Sequence, residues 1–194
     1  MFSKIKNYYH AWQTYKLDIK EKNSGLYFVI DIVEGLAYAV IVVLVIIRPF
    51  IVQVSVVPSP SMEPTLMVKD RLIVNKFIYR FTTPHRGDIV IFKSPFKDGK
   101  DYVKRCIGIP GDTLRIVDGD VYINNKLLIV PGTNIQFDTF NFSQITIPEE
   151  HYFVMGDNRA NSYDSRFWGL VPKKDIIGQA LITFWPITRM RPLR

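Results

Sequence analysis

Hydrophobic and polar positions follow two regimes along this chain. From Tyr27 to Ile47 the run YFVIDIVEGLAYAVIVVLVII is nearly all apolar, whereas beyond Ile51 short runs are broken by Gly, Pro and Asn. Alternation with a period of two marks strands, because successive side chains of an extended segment point to opposite faces. RLIVNKFIY, GDIVIFK, DYVKRCIGI, DTLRIV, DVYINNKLLIV, HYFVMGD and QALITFW all carry it. INNK predicts a hairpin turn, since Asn tolerates positive φ. VPGTNIQFDTFNFSQITIP reads as a longer loop or irregular hairpin, and its NFS is a glycosylation acceptor only in a eukaryotic secretory setting. Helical periodicity is scarce after Ile51, so the expected fold is mostly β: an antiparallel β domain over 51–194.

The apolar run needs a different home. Its cleanest part, Leu36 to Ile47, rises only about 18 Å as a helix, against a hydrocarbon core of roughly 30 Å. Extending back to Phe28 reaches that thickness but takes in Asp31 and Glu34, which must lie near the headgroups or be protonated. One transmembrane helix is therefore expected at 28–47, stopped by Arg48-Pro49. A buried core helix is the alternative; a cleavable signal peptide is disfavoured, because no small-x-small site follows the run. The basic segment 1–27, with Lys4, Lys6, Lys16, Lys20 and Lys22, places the N-terminus in the cytoplasm and the rest across the membrane.

Composition narrows the function. The net charge is +7, and much of the excess lies in the lysine-rich start and the terminal RMRPLR. No zinc finger or Gly-rich phosphate loop accompanies that charge, so no nucleic-acid partner is expected. Cys106 is the single cysteine and excludes an internal disulfide. His10, His85 and His151 are scattered without metal-ligand spacing, and no G-x-S-x-G elbow supports a Ser-His-Asp triad. Neither metal nor cofactor is expected.

One segment stands out chemically. In VVPSPSMEPTL, Val57, Ser59 and Glu63 each precede a proline, so Ser61 sits on a stiffened chain. An ordered linker at a membrane exit explains this equally well. A nucleophilic serine needs a base, and with no histidine suited to the task that base would be lysine. Lysine titrates near 10.4, so the base must lie where burial disfavours the ammonium. Lys97, Lys100, Lys173 and Lys174 lie among Asp, Gly or Pro; Lys104 lies within a strand pattern, on the face of Tyr102 and Cys106 with Arg105 opposite. A strand lysine pointing to solvent is the alternative.

PSPSMEPTL resembles the serine box of the bacterial type I signal peptidases, also called leader peptidases. RGDIVIF, YVKRCIGIPGD and VMGDNRANSYDSRFWG resemble that family's next three boxes in the same order, across most of Val54 to Pro172. The resemblance implies Ser61 as nucleophile and Lys104 as general base. It implies the Ser61 backbone N–H and the Ser59 hydroxyl as oxyanion donors, and Ser162 as the serine that orients the lysine. Asp157, Arg159, Asp164 and Arg166 match the charged framework of the last box, read here as a lattice bracing two loops. Val57, Met62, Leu66, Tyr102 and Val103 match positions lining shallow pockets for small residues, with core packing as the alternative.

Two positions depart from the pattern. Pro60 stands where some members have glycine, and Ala160 where an aspartate is common. The interval Asp112 to Val154 is short, so the second β-subdomain of larger members is expected to be reduced to a short insertion at about 113–153. The implied activity is a membrane-anchored endopeptidase that removes signal peptides from exported preproteins, with preproteins and membrane lipid as partners. Competing readings are a noncatalytic membrane-anchored binding protein and a self-cleaving Ser/Lys regulator. Phe184 and Trp185 beside the terminal basic residues suit an interfacial contact or core packing.

Overall fold

The computed structural model describes residues 2–47, 52–130 and 139–193. The chain divides into two compact units, Met1–Pro49 and Phe50–Arg194.

The first unit is helical. Helix α1 spans Phe2–Lys22 and α2 spans Ser24–Val42, the latter running on as a π-helical turn over Val43–Ile47. Asn23 separates them: its backbone is extended, and its side-chain oxygen accepts from the Leu26 N–H at 3.0 Å, so it caps α2. The apolar helix thus begins four residues before the expected Phe28, and the basic segment ahead of it is itself a helix. Lys16 of α1 bridges Asp31 (2.8 Å) and Glu34 (2.6 Å) of α2, so both acids in the apolar run have a cation beside them. The expected stop at Arg48-Pro49 lies outside the described residues.

The second unit is antiparallel β. Strands β1 (Val52–Val56), β2 (Arg71–Asn75), β3 (Ile89–Lys93) and β4 (Asp101–Gly108) are followed by β5 (Thr113–Val117), β6 (Asp120–Ile123) and β7 (Lys126–Leu127). Next come β8 (Phe142–Thr146), β9 (His151–Met155), β10 (Val171–Pro172), β11 (Ile176–Trp185) and β12 (Arg191–Pro192). The main sheet runs β1-β2-β11-β3-β4-β9-β10, with β12 paired to β11; a smaller sheet runs β7-β6-β5-β8.

Every strand in the list of alternating runs forms, but some boundaries move. RLIVNKFIY keeps only its first half as a strand, because the Asn75 side chain accepts from the N–H groups of Phe77 and Ile78 and turns the chain into a short 3-10 segment. INNK makes the β6–β7 turn, with Asn124 and Asn125 both at positive φ. The irregular segment expected around NFS instead supplies β8; its stretch 131–138 lies outside the described residues. Asn141 of NFS accepts from the Asp118 N–H at 3.0 Å, which secures the neighbouring β5–β6 turn.

The short insertion is therefore an ordered sheet with a core of its own. Leu114, Ile116, Val121 and Ile123 pack against Ile107 of β4 and Phe153 and Met155 of β9, so the smaller sheet shares its core with β4 and β9 of the main sheet. A second cluster joins Val57, Met62, Leu66, Leu72, Val74, Ile89, Ile91 and Val103. A third holds Val90, Phe92, Cys106, Tyr152 and Val154. β4 lies between these clusters, and every one of its residues from Val103 to Gly108 is buried.

Candidate active site

The segment between β1 and β2 is closed at its base by two backbone bonds, from Val57 N to the Asp70 carbonyl and from Lys69 N to the Val57 carbonyl, each 2.9 Å. Within it Ser59 is extended (φ −140°, ψ 159°), as a residue before proline must be. Pro60–Met62 then forms one 3-10 turn, closed by Glu63 N to the Pro60 carbonyl at 3.1 Å. Proline suits the first turn position, where no N–H is needed. Met62 and Leu66 are completely buried and linked through Leu66 N to the Met62 carbonyl at 2.8 Å. Each such burial contributes about 1.5–3 kcal/mol, enough to offset the roughly 1–2 kcal/mol per residue of ordering this turn. Ser61 is held between these anchors, 5% exposed.

Lys104 reaches it from the middle of β4, opposite Val90 of β3. Its Nζ donates to Ser61 Oγ at 2.5 Å, although 43 positions separate the two residues. The lysine is itself 5% exposed. Burial is the main influence on the amine and brings its pKa down to about 8; the Asp164 and Asp157 carboxylates oppose that shift, and Arg166 adds to it. At pH 7 about a tenth of such an amine is neutral, against well under a thousandth for an ordinary lysine.

Around this pair lie the other residues singled out in the sequence. Ser59 Oγ donates to Ser61 Oγ at 3.2 Å, so the two hydroxyls adjoin as expected for residues two apart on an extended segment. The Ser61 N–H bonds to no acceptor among the described residues. Ser162 departs from expectation: its Oγ is buried with no hydrogen-bond partner, so it does not bond Lys104 here. It lies against Gly156, where an added Cβ would stand 2.2 Å from Ser162 Oγ and 2.3 Å from the Ser61 carbonyl oxygen. Val57, Met62, Leu66 and Val103 come together in one buried cluster, while Tyr102 flanks the separate cluster around Phe92.

The charged framework does form a lattice. Asp164 accepts from the Gly156 N–H (3.0 Å) and from Arg166 Nε (2.9 Å), while Arg166 Nη2 donates to the carbonyls of Arg159 (2.6 Å) and Ser162 (3.3 Å). Ser165 Oγ accepts from the Val154 N–H at 3.0 Å. Asp157 finds a partner outside its own segment: Arg105 grips it through Nε (2.8 Å) and Nη2 (2.6 Å), and also donates to the Gly87 carbonyl.

Three contributors were not legible as such. Arg105, expected on a face opposite Lys104, is buried among Asp157, the Gly87 carbonyl and Thr65. Asn158 donates its N–H to the Ser61 carbonyl (3.1 Å) and Nδ2 to the Pro60 carbonyl (3.2 Å). Gly156 must be glycine because a Cβ there would meet Ser162 Oγ and the Ser61 carbonyl. The only sequence signal for the last two is their place in the GDN that opens the final box.

The arrangement can move a proton between a poised amine and a buried alcohol, with the Ser61 N–H and the Ser59 hydroxyl beside the alcohol. Residues 29–185 match the family model described as signal peptidase, peptidase S26. A probable signal peptidase I-2 of Synechocystis sp. is 41% identical over 74% of this chain and 68% of its own length. Signal peptidase I P of Bacillus subtilis subsp. natto is 38% identical over 89% of this chain and 96% of its own. A crystal structure of a signal peptidase I from Enterococcus faecalis aligns with 34% identity over 50% of this chain and 97% of that one, with a TM-score of 0.44.

Proposed function

The chain belongs to the signal peptidase family, peptidase S26, whose members are signal-peptide-removing serine peptidases, and from that premise we propose that Ser61 and Lys104 carry its chemistry. The observation that carries the reading is the 2.5 Å contact between a lysine amine poised near neutrality and a buried serine hydroxyl.

In its neutral form Lys104 accepts the hydroxyl proton as Ser61 Oγ attacks the carbonyl carbon before the scissile bond. The negative charge formed on the carbonyl oxygen is met by the Ser61 N–H and the Ser59 hydroxyl, which must turn from Ser61 Oγ to do so. Lys104 returns the proton to the leaving amine, releasing the mature protein and leaving the signal peptide as an ester on Ser61. Water then loses a proton to Lys104, attacks the ester carbon and frees the signal peptide carboxylate, with Oγ recovering its proton. Ser162 serves as a positioning residue: its unpartnered hydroxyl is available to the ammonium when Oγ no longer needs it.

Cleavage after small residues is ascribed to walls formed by Val57, Met62, Leu66 and Val103, with Tyr102 at the margin. Their rigid, buried packing supports steric exclusion of large side chains. Membrane attachment is ascribed to α2. Ser24–Val45 contains an 18-residue window with a mean hydropathy of 2.4 and is long and apolar enough to cross a bilayer. Lys16 offsets the cost of Asp31 and Glu34 in that run. The lysine-rich start favours a cytoplasmic N-terminus and a β unit on the outer face.

The test is cleavage of a purified preprotein by Ser61→Ala and Lys104→Ala in detergent. Each should lose at least a hundredfold in kcat/KM. Cleavage by either variant within tenfold of the parent overturns the assignment.

A further inference from the structure

The β unit carries a second chemically distinctive place, whose lining includes neither Ser61 nor Lys104. The β3–β4 loop and the turn before β11 enclose a cavity of about 490 Å³ lined by Lys93, Lys97, Lys100 and Lys174, with Ser94 among the walls. Its lining acids are Asp101 and Asp175, and with Asp98 of the same loop, paired to Lys100, cations outnumber anions by four to three. Asp101 is also engaged, accepting from Gln53 Nε2 at 3.1 Å. All four lysines are exposed; Lys100 pairs with Asp98 of the same loop at 3.7 Å, which leaves Lys93, Lys97 and Lys174 as the other cations of the lining.

This loop is built rather than loose. Ser94 is buried; its N–H donates to the Lys100 carbonyl (2.9 Å), and its Oγ accepts from the Phe96 N–H (3.2 Å). The ordered backbone of this loop, with Lys174 opposite, therefore brings four lysines to one space. Such a cluster is satisfied by an anion with several acceptor oxygens, which is the chemistry of a phosphate group.

A second feature of the same loop separates the sources of such a phosphate. Phe96 is 51% exposed and stacks on Tyr163 at 5.9 Å, which stacks on Phe167 at 5.2 Å; both of those rings are also more than half exposed. A free phosphate has no use for apolar rings beside its cations, whereas a lipid presents its phosphate at the edge of hydrocarbon. Aromatic rings with adjacent lysines are the side chains that settle at that boundary. Gln53, which ties Asp101 to β1, also follows the apolar helical run closely in sequence.

We propose that the lysine-lined cavity between the β3–β4 loop and the turn at Lys173–Asp175 binds the phosphate of an anionic phospholipid headgroup, with Phe96, Tyr163 and Phe167 meeting the adjoining apolar layer. The site is independent of the Ser61 and Lys104 assignment. Its occupation holds the β unit against acidic lipid without entering the cleavage chemistry.

The experiment is native mass spectrometry of the full chain in neutral detergent with added dioleoylphosphatidylglycerol, dioleoylphosphatidylcholine or inorganic phosphate. The parent should retain phosphatidylglycerol at least fivefold over phosphatidylcholine. Combined Lys93→Gln, Lys97→Gln, Lys100→Gln and Lys174→Gln should abolish that preference while preprotein cleavage in neutral detergent stays unchanged. If the combined variant fails to fold, Lys97→Glu alone at the exposed loop should lower retention in the same direction. Phe96→Ser should weaken retention of the lipid and leave the response to phosphate unaltered. Equal retention in parent and lysine variants, or of the two lipids, overturns the proposal. Displacement of the lipid by millimolar phosphate overturns the lipid source and assigns the cavity to free phosphate. Ser61→Ala should retain phosphatidylglycerol as the parent does, so failure of either assignment is read separately.

Discussion

Gly156 lies so close to Ser61 that a Cβ on it would stand 2.3 Å from the Ser61 carbonyl oxygen. The same carbonyl accepts the Asn158 N–H, and the Gly156 N–H is taken by Asp164, so the backbone carrying Ser61 is pressed against a segment that cannot retreat. Gly156→Ala should therefore displace the Ser61 turn. We expect kcat/KM to fall at least a hundredfold, with a loss of stability of about 1–3 kcal/mol, as for an overpacked core. Cleavage kinetics and urea unfolding of the same preparation check both; parental kinetics with the alanine in place would show that the contact relaxes freely.

Ser59→Ala removes one of the two donors assigned to the oxyanion. The expected loss is about 100- to 1000-fold in kcat, with KM little altered, because the bond forms only as charge develops. Ser59→Thr should restore part of the rate. A change confined to KM would place Ser59 in substrate binding instead.

The Arg105–Asp157 pair is buried at both ends, with side chains 4% and 1% exposed. Removing one partner leaves a charge without compensation, so Arg105→Ala or Asp157→Ala should each cost about 3–5 kcal/mol. The Arg105→Met, Asp157→Leu double variant should cost much less than the sum of the two single changes. Unfolding midpoints across the double-mutant cycle measure the coupling; simple additivity would mean the pair does not act as a unit.

These relations show what the sequence could and could not convey. Strands β3, β4, β9 and β11 were legible because alternating or continuous apolar runs report burial directly. Ser61 and Lys104 were legible as types, a serine on a proline-stiffened segment and a lysine inside a strand, and their pairing came from resemblance. The bidentate grip of Arg105 on Asp157 was not legible, because alternation assigns faces without saying whether a second layer covers them. The strand β8 around NFS was hidden for a similar reason: its residues are mostly exposed, so no apolar pattern announces it. The end of β2 at Asn75 depends on one side chain competing for two backbone N–H groups, which a pattern of hydrophobicity does not contain.

A lysine kept near pKa 8 should weaken the fold at neutral pH. Between about 8 and the unfolded value near 10.5 the unfolded chain holds a proton on this residue that the folded chain has released, so stability rises with pH through that window. Below it the full cost applies, about 3 kcal/mol for a shift of this size. Lys104→Met should therefore raise stability by about 2–3 kcal/mol at pH 7 and bring little gain above pH 10.5. Urea unfolding at the two pH values tests the sign; an equal effect at both would detach it from protonation.

Direct titration of the Lys104 amine by 15N NMR, in the full chain labelled on lysine, is the closest test of the account. An inflection near 8, coinciding with the acid limb of kcat/KM, is the predicted result. An amine that stays protonated to pH 10 while cleavage proceeds at full rate at pH 8 would contradict it.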